Sequence, residues 1–212
     1  MQPWRDSEYD AVILKLGVTL VNIFMPREVR KNPGDLLTVG DIAKALTPTG
    51  RDLEKIVGLV RHYHKQSYLK PVAKETEGRQ SFLYLPDQCL VAEMLIRMGE
   101  MGVADTDSAL AVSRLFNVWR RDDYEGSKPP APTPGMHIIR QYEQGARDWY
   151  AELWVLARNG RLTKTGRLHA IERGEATAWE YTVGDYEKRS YFSVDLTGVL
   201  DRIHPRTRRT IN

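Results

Sequence analysis

The chain has 212 residues, of which 42% are hydrophobic and 28% charged, and these proportions argue against a wholly disordered chain. Lysine and arginine number 31 against 28 acidic residues, so the net charge is only +3 and binding to a polyanion requires local clustering of charge. The single cysteine, Cys89, excludes an internal disulfide and a thiolate-rich metal site within one subunit. It fits a reducing compartment and a place in the core.

The first predicted element is a helix over the apolar run from Ala11 to Met25. The run is too short to span a bilayer and is interrupted by Lys15 and Asn22. Acidic residues precede it, where a signal peptide would carry positive charge. Ser7 is the expected cap and Pro26 the stop. We therefore expect a buried first helix in a cytoplasmic protein.

Two further helices are predicted close together. The first covers Val39 to Leu46 behind a Thr38 cap. The second runs from about Leu53 to Gln66 after a break from Thr47 to Asp52, with Thr49 or Asp52 as its cap. In the second helix, apolar residues recur at three- and four-residue spacing and are expected to be buried: Leu53, Ile56, Val57, Val60 and Tyr63. The opposite face carries basic residues: Arg51, Lys55, Arg61, His62 and Lys65.

A β-hairpin is expected next. Two strand-like runs, Tyr68 to Val72 and Ser81 to Leu85, flank a polar segment that contains Gly78. Pro71 requires an edge position because it lacks a backbone N–H. From Arg51 to Arg79 there are seven lysines or arginines against four acids, so the basic bias is local.

The succession of TVGDIAKAL, a break, LEKIVGLVRHYHKQSYLKPV and the hairpin resembles the winged helix-turn-helix of bacterial and archaeal transcription regulators, over about residues 7–100. The run RHYHKQSYLKP, followed by a wing and a helix, is also similar to the MerR-like branch, a variant whose usual spacing from the second helix is shorter. The resemblance implies that residues 51–66 form the recognition helix, that residues 74–80 form the wing, and that double-stranded DNA is the partner. The DNA contacts that it implies are Arg51, Lys55, Arg61, His62, Lys65, Lys74 and Arg79. The turn from Thr47 to Asp52 is longer than the usual one.

Downstream, a helix is predicted from Pro86-Asp87 to Gly99 or Gly102, with Leu90, Val91, Met94, Leu95 and Met98 inward. A second helix, Asp105 to Trp119, is apolar almost all round, so it is either central in the core or shared with another subunit. Residues 126–135 hold four prolines and two glycines and are interpreted as an extended linker and domain boundary.

Beyond that segment, apolar positions between Ile138 and Trp154 predict a helix of about twenty residues. This helix is expected to stop at Asn159-Gly160. Strand-like pieces at Ala178 to Val183 and Ser190 to Leu196 indicate a small β-hairpin region, and Leu196 to Ile203 a short helix. The C-terminal aromatic residues are interpreted as core or interface packing, with a ligand pocket as the alternative. A basic tail ends the chain, in which Arg206, Arg208 and Arg209 are further DNA-contact candidates; a disordered terminus is the alternative.

The predicted fold class is mainly α with small β elements (α+β). Residues 1–100 form a winged helix-turn-helix domain, 101–125 a helical extension suited to dimerisation, 126–135 the linker, and 136–212 a C-terminal α+β appendage.

Catalytic and metal chemistry find no support in the sequence. His62 and His64 lie two apart on a helix and point in different directions, so they cannot share a metal. Asp105 and Asp107 are explained by helix capping. GRLTKTGR, residues 160–167, lacks the spacing of a P-loop and is interpreted as a solvated loop that can at most contact phosphate. We expect no enzyme activity, no cofactor and no metal.

The sequence thus predicts a sequence-specific DNA-binding protein, a transcription regulator that acts as a homodimer. Two alternatives stay open: a replication, partition or phage-type DNA-maintenance protein that binds iterated sites, and a scaffold whose winged helix binds protein. The operator, the sign of regulation and any small-molecule effector are left open.

Overall fold

The computed structural model describes residues 36–47, 51–75, 81–120, 123, 126–146, 149–170 and 185–203, all within one compact unit that begins at Gly34. The first predicted helix, most of the wing, the strand piece from Ala178 to Val183 and the basic tail lie outside the described residues. The long turn is described only at its two ends.

The described residues form six helices and two small antiparallel sheets, a mixed α+β architecture as predicted. In chain order the elements are α1 (Val39–Leu46), α2 (Leu53–Lys65), β1 (Pro71–Lys74), β2 (Phe82–Tyr84), α3 (Gln88–Glu100), α4 (Thr106–Asn117), α5 (Pro134–Glu143), β3 (Trp149–Arg158), β4 (Arg161–Ala170), β5 (Glu187–Asp195) and α6 (Thr197–Ile203). Strands β1 and β2 pair with each other, and β3 lies between β4 and β5.

Side-chain caps start three of the first four helices. Thr38 and Asp41 form a capping box at α1, with the Thr38 hydroxyl accepting from the Asp41 amide at 3.2 Å and the Asp41 carboxylate accepting from the Thr38 amide at 3.0 Å. Asp52 accepts from the Glu54 amide at α2, and Asp105 from the Ser108 amide at α4, each at 2.9 Å. The predicted starts of these helices are confirmed because the caps are local in sequence.

One hydrophobic core runs through all six helices and the inner face of the three-stranded sheet. Helix α4 lies centrally and packs against α3, α5 and β4. At the contact with β4 a Cβ built on Gly166 would lie 2.7 Å from Leu115 Cδ2, so a larger residue would require the Leu115 side chain to shift. The sequence left open whether the apolar α4 is central in the core or shared with another subunit. In the described part of the chain it is central in the core.

The long C-terminal helix predicted from Ile138 to Trp154 is wrong. Helix α5 ends at Glu143, and Trp149–Arg158 is the central strand β3. Asn159 and Gly160, interpreted as a helix end, have φ of 51° and 75° and join β3 to β4 in a two-residue hairpin turn. Most of residues 160–167 therefore belongs to strand β4 and not to a solvated loop.

The proline-rich segment also differs from its prediction. Trp119 Nε1 donates to the carbonyl of Ala131 at 2.9 Å, and Ala131 is buried. Thr133 caps α5 and donates to the carboxylate of Asp87, and a Cβ on Gly135 would lie 2.7 Å from Asp87 Cβ. Residues 131–135 are therefore packed, whereas residues 126–130 are exposed, and the chain on both sides of the segment belongs to one compact unit with a shared core.

None of the described helices combines the length and the apolar character that crossing a membrane requires.

Candidate nucleic-acid interface

Helix α2 is anchored from behind by three side chains. Ile56, Val60 and Tyr63 are 4%, 0% and 9% exposed and belong to the main core. Val57 is partly buried against the same core. The predicted burial of Leu53 is wrong, because Leu53 is 41% exposed. It is the first residue of the helix, and the buried face of α2 begins only at Ile56.

The opposite face of α2 is exposed and basic. Lys55, Arg61, His62 and Lys65 are exposed, as predicted, and the three lysine and arginine side chains make no ion pair with another described residue. Gly58 lies among them, and a Cβ added there would meet no atom within 4 Å. This surface, called the basic face below, therefore allows close approach of another molecule.

The β1–β2 hairpin is fastened to the C-terminal half of α2. The Tyr84 hydroxyl and His64 Nδ1 are hydrogen-bonded at 2.8 Å, and the rings of His64 and Phe82 lie 4.6 Å apart. Burial raises the pKa of Tyr84 to about 12, so its hydroxyl stays protonated. Ser67, with φ of 59°, reverses the chain between helix and hairpin.

Leu37 pairs with β2 on the edge of that strand that faces away from β1. The amide of Leu37 donates to the carbonyl of Tyr84, and the amide of Tyr84 to the carbonyl of Leu37, both at 2.9 Å. Because Leu37 directly precedes the cap of α1, both ends of the α1–α2 pair are connected to the hairpin. Lys74, on β1, is exposed at the far end of that strand, with its Nζ 5.7 Å from the centre of the Phe82 ring.

Arg51 was predicted to contact DNA, but the structure places it in a network of internal contacts. Its guanidinium lies 2.9 Å from Glu100 and 3.6 Å from Glu93, and it donates to the carbonyl of Leu46 at 3.5 Å. Its positive charge is thus compensated within the protein. The remaining predicted contacts, Arg79, Arg206, Arg208 and Arg209, lie outside the described residues.

The acid at the centre of this network, Glu93, did not emerge as a candidate from the sequence. It is 1% exposed and lies on α3, where Arg51, Arg97 and Arg202 surround its carboxylate at 3.6, 2.9 and 3.3 Å. A signal existed: Glu93 falls three residues after Leu90, on the inward face of the most apolar helical run of this region. A charged residue there needs buried partners.

Within the described ranges, no group of three or more histidine, cysteine, aspartate or glutamate side chains is arranged to hold a metal. Asp105 is a helix cap, as expected, and it also forms an ion pair with Lys164 of β4. These contacts lower the pKa of Asp105 to about 2, with the Lys164 hydrogen bond as the largest cause. Cys89 is completely buried, as expected, and burial raises the pKa of its thiol.

Comparison of the chain with protein-family models, with curated proteins and with solved structures found no match.

Proposed function

We propose that the protein binds double-stranded DNA sequence-specifically by placing the basic face of α2 in the major groove, with the β1–β2 hairpin as a wing beside it. The observation that carries the proposal is the division of α2 into two faces. One face is fixed in the core by Ile56, Val60 and Tyr63, and the other exposes Lys55, Arg61, His62 and Lys65. A rigidly held helix with uncompensated positive charge fits the shape and the electrostatics of a major groove.

The arrangement around α2 supports the same proposal. The order of helix, turn, helix and hairpin is the one that the resemblance to winged helix-turn-helix regulators implies. The contacts of Tyr84 with His64 and Leu37 fix the hairpin relative to the helix. In this proposal Lys55 and the wing residue Lys74 contact phosphates, while Arg61, His62 and Lys65 reach base edges or the adjacent backbone.

The internal ion pairs of Arg51 refine the proposal. A guanidinium that already faces Glu93 and Glu100 would release no counterion on binding DNA, so Arg51 is removed from the set of contacts and becomes a support for the start of α2. We further propose that the protein is a transcription regulator and that a homodimer reads two half-sites.

The test selects preferred sequences from a random duplex pool and measures the affinity for the selected duplex at several salt concentrations. The variant carries Arg61→Glu and Lys65→Glu, and its matched control carries Lys128→Glu and Arg161→Glu. All four positions are exposed, and both variants change the net charge equally. Each lost phosphate contact lowers the slope of log affinity against log salt by about 0.9.

We expect the first variant to lose sequence-specific binding while the control keeps it. Equal losses of binding in the two variants would mean that only the net charge of the protein matters. Unchanged, salt-sensitive binding by the first variant would refute the role of α2. Absence of any selected sequence for the wild-type protein would refute the proposed function as a whole.

A further inference from the structure

The surroundings of Glu93 connect the C-terminal helix to the start of α2. A buried carboxylate loses its hydration and needs positively charged partners in compensation. The three arginines that supply it come from different places: Arg97 is on α3 itself, Arg51 lies just before α2, and Arg202 is on α6. Two of the three therefore bring separate elements to one side chain.

Those two arginines also bind the last carbonyls of α1. Arg202 Nε donates to the carbonyl of Ala45 at 2.9 Å, and Arg51 donates to the carbonyl of Leu46 at 3.5 Å. Carbonyls in the last turn of a helix have no partner within the helix, and positive charge is favourable there. Arg51 and Arg202 thus fix the end of α1 and the start of α2 at the same time.

Apolar contacts support this connection. Val199 and Leu200 of α6 are 1% and 0% exposed and lie in the same core as Ile42 and Leu46 of α1. Arg97, in contrast, is an i,i+4 neighbour of Glu93 on one helix, so it compensates charge without joining two elements.

We propose that Glu93, Arg202 and Arg51 form a latch through which the C-terminal helix α6 fixes the orientation of α2. These are positioning residues: they act on the basic face through the α1–α2 junction. The latch itself depends only on the fold, and its consequence for DNA rests on the function proposed above.

The test follows single backbone amides by hydrogen exchange in the full-length protein. Thr47 N donates to Lys44 O at 3.3 Å and Ile56 N to Asp52 O at 3.1 Å, so these amides report on the end of α1 and the first turn of α2. Arg202→Met keeps the length of the side chain and removes its charge. Arg97→Met is the matched control, because it removes a partner of the same carboxylate without releasing α6.

We expect both reporter amides to exchange on the order of tenfold faster in Arg202→Met, and amides in α4 to be much less affected. In Arg97→Met the two reporters should change no more than the amides of α4. Equal acceleration in both variants would mean that Glu93 merely needs charge compensation, and would overturn the latch. No acceleration in Arg202→Met would overturn it as well.

A second variant covers the case that Arg202→Met does not fold. Arg202→Lys keeps the charge, but one ammonium group replaces the guanidinium that reaches both Ala45 and Glu93. The same two amides should exchange faster, and unchanged exchange contradicts the proposal. Affinity for the selected duplex should fall severalfold in Arg202→Lys. If the wild-type protein binds no duplex, the function proposed above fails, and the exchange experiment still decides on the latch.

Discussion

The hydroxyl of Tyr84 on β2 and Nδ1 of His64 on α2 form a hydrogen bond of 2.8 Å that joins the hairpin to the candidate DNA-binding helix. Tyr84 is completely buried and His64, on the last turn of the helix, is half-buried, so the bond is partly shielded from water. The position of the hairpin beside the basic face thus depends partly on a single pair of side chains.

Tyr84→Phe is expected to lower the free energy of unfolding by about 0.5–1.5 kcal/mol, because the ring still fills its site and one hydrogen bond is lost. Chemical denaturation measures the change. Tyr63→Phe is the matched control, since the Tyr63 hydroxyl makes no hydrogen bond within the described part of the chain. A loss as large in the control would show that the Tyr84–His64 bond contributes nothing specific.

Gly58→Ala is expected to stabilise the protein by up to about 1 kcal/mol, because alanine is the better helix former and the site has room for a methyl group. Gly135→Ala should instead destabilise it by about 1–3 kcal/mol, because the new Cβ would press against Asp87 Cβ, which no rotation of the side chain can move. Thermal unfolding of both variants checks the two signs. Destabilisation by Gly58→Ala would mean that this face of α2 is covered.

The first half of the described chain could be predicted because its signals are local. Thr38, Asp52 and Asp105 are caps whose partners lie two or three residues away, so the start of each helix is encoded in a few consecutive residues. The basic face followed from helical spacing for the same reason. The exceptions lie at the edges of elements: Leu53 is exposed, Arg51 faces Glu93 and Glu100, and strand β1 begins at Pro71, three residues later than predicted.

Strand β3 could not be recognised by periodicity because both of its faces are buried. Leu153 packs in the main core and Trp154 in a separate cluster on the other face, so the polar–apolar alternation of a half-exposed strand is absent. Trp149, Leu153 and Trp154 also fit helical spacing. The Asn159-Gly160 pair was the better guide, because this dipeptide favours positive φ at both central positions of a hairpin turn.

The latch around Glu93 depends on contacts that no local pattern encodes. Arg51 and Arg202 lie 42 and 109 residues from Glu93 in sequence, and the fold alone brings them to one carboxylate. The sequence signals a buried acid on α3, but it does not say which of the 31 lysines and arginines are its partners.

Asp105→Ala is expected to cost about 1 kcal/mol at neutral pH, mainly through loss of the cap of α4, and it also removes the exposed ion pair with Lys164. Because the pKa of Asp105 is lowered to about 2, its stabilising contribution is present above about pH 4 and is lost as the pH falls toward 2. Asp107→Ala is the matched control, since Asp107 lies in the same first turn without capping it. Urea denaturation at neutral pH compares the two. An equal cost in the control would assign the effect to the helix dipole and not to the cap.

The contribution of Asp87 to the free energy of unfolding is expected to be larger in mild acid than at neutral pH. The carboxyl group is completely buried, and burial raises its pKa from 3.8 to about 6, against the opposing hydrogen bonds from Thr133 and Gln88. The folded protein therefore binds a proton more tightly than the unfolded chain does. This contribution is fully present below about pH 4 and is lost as the pH rises through 6.

The variant Asp87→Asn isolates this effect, because asparagine is neutral at every pH and has nearly the same shape, while the Thr133 hydroxyl can either donate or accept. At pH 7 the variant should be the more stable protein, by on the order of 3 kcal/mol if the whole rise in pKa reflects the cost of burying the charge. The difference should shrink to near zero at pH 4, where the wild-type carboxyl is protonated as well. Denaturant unfolding of both proteins at intervals between pH 4 and 7 measures it. A difference that stays constant over this range would show that Asp87 does not take up its proton in the folded state.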